Sequence, residues 1–126
     1  MLKKITFIDY KKEVYKIFIE QDNLYYSVKD EIIILGEYVK DYCVKYFNKS
    51  IWIAFYDEKY KIYLVDISLK YNKKIKKHLH MNSKRYSLYI DSLDMIITNE
   101  DKINLIFRGG DKEKTFLFKD YRKLYL

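Results

Sequence analysis

Residues 51–56 read Ile-Trp-Ile-Ala-Phe-Tyr, the longest uncharged apolar run in the chain. Six residues fall far short of the ~20 needed to span a bilayer, so the run must be covered by protein. Side chains of a strand alternate between two faces, and here both faces are apolar. That is the pattern of a central strand covered on both sides. Ile32 to Leu35 has the same character. The fold must therefore supply cover for two such segments.

The sequence between them offers one. Gly36 changes the rhythm, and in residues 37–48 (EYVKDYCVKYFN) Val39, Tyr42, Cys43, Tyr46 and Phe47 recur at helical spacing. Glu37, Lys40, Asp41 and Lys45 fall mostly on the other side. The spacing predicts a helix of about eleven residues, close to the globular average. A strand is the alternative, because Tyr and Val are weak helix formers. A helix here would cover its flanking strands, through a right-handed crossover if they run parallel.

No proline and only three glycines punctuate the chain, so the remaining boundaries come from polarity. β-branched and aromatic residues dominate the apolar set, which favours sheet. Leu2 to Ile8, Tyr15 to Ile19, Leu24 to Val28 and Glu31 to Leu35 predict an antiparallel meander. Tyr60 to Leu69, Arg85 to Ile90, Leu93 to Thr98, Ile103 to Arg108 and Thr115 to Lys119 predict further strands. The later ones join by hairpin-like turns. No repeat, linker or low-complexity block divides the sequence, so residues 1–126 are expected to form a single α+β domain. It would be mainly antiparallel β-sheet, strongly curved or a partial barrel to hide its edges, with one or two short helices.

Charge is distributed unevenly along this frame. The chain has 25 Lys and Arg against 18 Asp and Glu, a net +7. Residues 67–90 (ISLKYNKKIKKHLHMNSKRYSLYI) hold Lys70, Lys73, Lys74, Lys76, Lys77, Lys84 and Arg85, both histidines, and no acid. Without those seven cations the chain is balanced. If residues 71–80 are helical, Tyr71, Ile75 and Leu79 form one stripe and the lysines with His80 sweep the remainder. Such an array matches phosphates, since each ammonium can displace a condensed counterion.

In the strand expected next, Tyr86, Leu88 and Ile90 would face a core and Arg85, Ser87 and Tyr89 would face out. An aromatic plate beside a guanidinium suits single-stranded nucleic acid. Lysine in place of arginine favours backbone contact over base reading. The expected polyanion-binding residues are thus Lys70, Lys73, Lys74, Lys76, Lys77, His80, Lys84, Arg85 and Tyr89, and the expected partner is nucleic acid or a ribonucleoprotein. The plain alternative is a solvated lysine face. A membrane partner is not expected, because the apolar stripe carries no large anchor.

Two other function classes fit the same residues. A protein–protein module, such as an inhibitor or accessory factor of viral or mobile-element origin, would dock the basic stretch on an acidic protein surface. A metal-independent ribonuclease would use His78 and His80 as acid and base, with Lys84, Arg85 and Tyr86 beside a pentacovalent phosphate. On a strand the two rings would share a face; on a helix they would point apart. A non-enzymatic binding protein is the expectation. A homodimer is also possible, if a second copy covers Ile32 to Leu35 or Ile51 to Tyr56.

Gly109-Gly110-Asp111, with Asp9 following a strand, resembles the metal-binding turn of nucleotide cyclases and palm-type polymerases. The pair of helices on the sheet of that family is not visible here, and Gly-Gly-Asp-Lys-Glu also reads as an ordinary hairpin connection. The closing FKDYRKLYL is similar to the end of RelE-type ribosome-dependent toxins, but the chain opens with strands where that family has paired helices. No phosphate loop, dinucleotide fingerprint, nucleophile elbow or cysteine-pair zinc pattern is present, so no cofactor or metal is expected. Cys43 is the one cysteine, which suits a reducing compartment. The apolar start Ile5 to Ile8 is too short for a signal-peptide core. A cytoplasmic location is expected, in the host if the protein is viral. Lysine exceeds arginine 22 to 3, and the favoured residues have AT-rich codons, which suggests a low-GC bacterial or viral origin.

Overall fold

The computed structural model describes residues 2–47, 50–67, 78–82, 92–97, 103–109 and 112–118, and every regular element within them is a strand. The strands group into two compact units, Met1–Lys40 and Asp41–Leu126.

The first unit holds the expected meander. β1 (Leu2–Tyr10), β2 (Glu13–Glu20), β3 (Asn23–Val28) and β4 (Glu31–Gly36) form one sheet in that order. All three pairings are antiparallel. Lys11-Lys12 and Gln21-Asp22 are two-residue turns with φ of 49° and 65°, and 50° and 65°. Positive φ at both positions is the type I′ geometry, whose twist matches that of the flanking strands. None of these four residues is glycine or asparagine, so each turn carries steric strain that glycine would not. Lys12→Gly is therefore expected to stabilise the protein by about 0.5–1 kcal/mol in urea unfolding, after the extra freedom of glycine in the unfolded chain is subtracted.

One face of this sheet is buried. Tyr15, Ile17 and Ile19 of β2 meet Leu24 and Tyr26 of β3, and Leu35 adds to them from β4. Tyr15 stacks on Tyr26 at 6.1 Å between centroids and takes Tyr10 edge-on at 5.8 Å. Burial pushes the Tyr26 phenol up to about 12, helped by the charges of Tyr15 and Glu31. The folded value lies above the unfolded one, so as pH rises past 10 the unfolded chain loses this proton first. Stability is thus expected to fall between pH 10 and 12, by up to about 2 kcal/mol from this group. Denaturant titrations at several alkaline pH values should show a shallower fall in Tyr26→Phe.

The second unit carries two sheets. β5 (Val39–Phe47), β6 (Ser50–Asp57), β7 (Lys61–Asp66) and β8 (His78–Asn82) form one, in that order. β9 (Ser92–Ile97), β10 (Ile103–Gly109) and β11 (Lys112–Phe118) form the other, with β10 central. Ile51 to Tyr56 is buried throughout, as a central strand should be. Part of its cover comes from β9, which approaches β6 and buries Leu93 and Met95 while Asp94 stays exposed. β9, β10 and β11 are the later strands of the expected meander, with Gly109 paired to Lys112; the strand expected over Arg85 to Ile90 lies outside the described residues.

Three expectations are corrected. The helix over 37–48 is the strand β5, and the α+β class gives way to an all-strand fold among the described residues. Tyr38 has φ of 54°, outside the helical region. The Tyr42 N–H donates to Asp41 Oδ1 at 2.8 Å, a local bond that competes with a helical ladder. Val39, Tyr42, Val44, Tyr46 and Phe47 all favour extended backbone. No parallel crossover is formed, since every described pairing is antiparallel. Ile32 to Leu35, finally, is not a doubly covered central strand. It is β4, the last strand of its sheet, with Ile32 67% and Ile34 49% exposed.

Candidate nucleic-acid interface

The basic stretch is threaded through the second unit by β7 and β8. The hairpin leading into it is organised by Asp57. Its Oδ1 accepts from the Lys59 N–H at 2.9 Å and the Lys61 N–H at 3.0 Å, and its carbonyl accepts from the Tyr60 N–H at 2.9 Å. The Tyr63 phenol is pushed up by burial first, then by the charge of Asp57 and its hydrogen bond. Tyr63 also stacks on Phe55, its register partner, at 5.1 Å. β7 is therefore a fixed rail. At its far end the Ile67 N–H donates to the Ile51 carbonyl at 3.0 Å.

From there the chain leaves β7 and returns as β8, with Leu64 opposite His78 and Tyr63 opposite Leu79. Lys70, Lys73, Lys74, Lys76 and Lys77 fall in the connection between these strands, outside the described residues. Lys84, Arg85 and Tyr89 follow β8 and also lie outside them. The two groups of cations consequently join β8 at opposite ends. Four residue steps separate His78 from Asn82, roughly 14 Å at strand spacing. A continuous helix over 71–80 is corrected at its end, because His78, Leu79 and His80 belong to β8.

The register through the two histidines is irregular. Ile62 pairs with Met81 but Tyr63 pairs with Leu79, so His80 is an extra residue in the ladder. Sequence could not show this, since the pattern Leu64, Tyr63, Ile62 against His78, Leu79, Met81 is as apolar without the shift.

Register also adds two cations that composition did not single out. Lys61 pairs with Asn82, so Lys59 and Lys61 sit at the end of the sheet from which Lys84 and Arg85 continue. Asp57 and Glu58 share that turn and offset their charge. Asp66, the last acid before the basic stretch, is buried on β7.

The electrostatic division follows the two units. Met1–Lys40 holds seven basic and seven acidic residues, so the whole excess of +7 belongs to Asp41–Leu126. Asp9 is an exposed residue of β1, and Asp111 lies outside the described residues. No group of three or more His, Cys, Asp or Glu comes together among the described residues. Among those residues no helix is long and apolar enough to cross a membrane. No protein-family model, curated protein or solved structure matches the chain.

Proposed function

We propose that this protein is a non-enzymatic binding protein that engages nucleic acid, free or in a ribonucleoprotein, through the basic segments flanking β8. The observation that carries this is the confinement of the net charge. One unit is neutral, and the other gains its excess from residues 70–85 without a single acid among them. A field of one sign on one part of a small protein attracts polyanions and speeds their encounter. Lys70, Lys73, Lys74, Lys76 and Lys77 would contact phosphates on one side of β8, and Lys84 and Arg85 on the other. Tyr89 would offer a ring for stacking.

Fluorescence anisotropy with labelled single-stranded RNA, single-stranded DNA and duplex DNA tests this directly. Saturable binding at low salt by any of the three is the expected result; flat titrations for all three would overturn it. The same incubations examined on a denaturing gel test the ribonuclease alternative. The labelled RNA should remain intact, and cleavage lost in His78→Ala or His80→Ala would replace the binding role with a catalytic one.

A further inference from the structure

We propose that the outward face of the β1–β4 sheet is a self-association surface that takes a second copy of this chain. It is independent of the nucleic-acid proposal, because it lies wholly within the neutral unit.

The register defines the face. Phe7, Lys16, Ser27 and Ile32 form one row across the four strands, and Ile5, Phe18, Tyr25 and Ile34 form the next. Residues paired in register share a face, and alternation puts these two rows on the side opposite the buried Ile17 and Tyr26. The corners of the face are apolar and open to solvent. Phe7 is 64%, Ile32 67%, Ile34 49% and Ile5 42% exposed, and Val14, one step beyond on β2, is 55% exposed. The centre is already ordered and covered: Phe18 is 5% exposed, stacks on Tyr25 at 5.4 Å, and has the Lys16 ammonium 4.7 Å from the centre of its ring. Exposed apolar side chains on β1, β2 and β4, flanking that centre, are the kind of surface that marks an interaction site.

The face and not the edge is the docking element. Each outer strand of this sheet carries a register shift near one end, between Leu2 and Lys4 on β1 and opposite Leu24 and Tyr25 on β4. Bulges of this kind twist an edge away from further strand pairing.

Three features favour a second copy over a different partner. First, the unit that carries the face is neutral although each chain is +7, so the face itself holds no charge excess to select an acidic or basic partner. Its one central cation already lies over a ring, which leaves little for a phosphate backbone. Second, the two rows are complementary to each other. A two-fold axis lying in the face and perpendicular to the strands sets Phe7 on Ile5, Lys16 on Phe18, Ser27 on Tyr25 and Ile32 on Ile34 of the second copy. Apolar corners meet apolar corners, and the cation meets a ring, which is the self-complementarity an isologous dimer requires. Third, the size fits. Four strands about 4.8 Å apart, six to nine residues long at about 3.4 Å each, give a face of roughly 500 Å² in plan. With side-chain relief this approaches the roughly 800 Å² of accessible surface that each partner contributes to a stable dimer. The result is a sheet-on-sheet sandwich.

Sedimentation of the full chain across a concentration series tests this. The wild type should approach twice the monomer mass as concentration rises. Phe7→Glu with Ile32→Glu should sediment as a monomer throughout, with an unchanged far-ultraviolet circular dichroism spectrum, because both residues are exposed. Ser27→Cys in a Cys43→Ser background supplies a second measurement that does not depend on the charged variant folding. A short bis-maleimide should join it into a covalent dimer. A wild type that stays monomeric, a charged variant that still dimerises, or a Ser27→Cys protein that resists cross-linking would each overturn the proposal. A monomeric wild type that captures a different protein through Phe7 and Ile32 would overturn it too, by assigning the face to that partner.

Discussion

Ile53→Ala is expected to destabilise the protein by about 2–5 kcal/mol, whereas Ile32→Ala should change stability by less than about 0.5 kcal/mol. The same three carbons are deleted in both. Ile53 is fully buried in β6 opposite Val65, with Trp52 and Phe55 as buried neighbours along the strand. Removing its side chain leaves a cavity that a two-sided layer cannot readily collapse. Ile32 sits on β4 with two thirds of its surface in water, so little transfer energy is at stake. Urea unfolding measures both, at a concentration low enough for any dimer to dissociate. Equal effects would mean that the two apolar runs share an environment, contrary to the structure.

The second large effect concerns function. Lys73→Glu combined with Lys77→Glu should weaken nucleic-acid binding by two orders of magnitude or more, and Lys11→Glu with Lys12→Glu should leave it within about twofold. Both double substitutions change the net charge equally, so long-range attraction falls by the same amount. Only the first removes two local phosphate contacts and places two repulsive carboxylates there, each lost contact releasing one counterion fewer. Anisotropy titrations at fixed low salt separate these outcomes. An equal loss in both variants would show that net charge alone attracts the ligand. No loss in either would remove residues 70–77 from the interface.

The contrast between the two isoleucine runs also shows how much of the fold was legible in the sequence. β-branched and aromatic enrichment identified sheet, and the polar residues Gln21-Asp22, Lys29-Asp30 and Asp57-Glu58-Lys59 located three of the hairpins. What sequence did not carry was which side of each sheet finds cover. Ile32 to Leu35 and Ile51 to Tyr56 are equally apolar, yet β4 ends its sheet and β6 lies inside one. That difference arises from the order of strands, which involves residues far apart in the chain.

The helix over 37–48 failed for a related reason. Val39, Tyr42, Tyr46 and Phe47 fall at helical spacing, but residues of these types satisfy an extended backbone as well. The choice was made by pairing with β6 and by the left-handed backbone at Tyr38.

The candidate site was legible as charge and not as geometry. Counting acids and bases located residues 67–90. Only the β7–β8 register showed that a strand divides the stretch, that its cations attach at opposite ends, and that His80 is the extra residue of a bulge. A bulge leaves no mark in composition, because it inserts a residue without changing the polarity of its neighbours.

The salt dependence of binding tests the central claim most directly. Affinity for nucleic acid should fall linearly in a plot of log affinity against log salt. With about five phosphates neutralised, the slope should be near −3.5 for a single strand and near −4.5 for duplex DNA. Binding that keeps its affinity up to about 0.5 M salt, where surface charges are heavily screened, would contradict a phosphate-contacting role for the basic stretch.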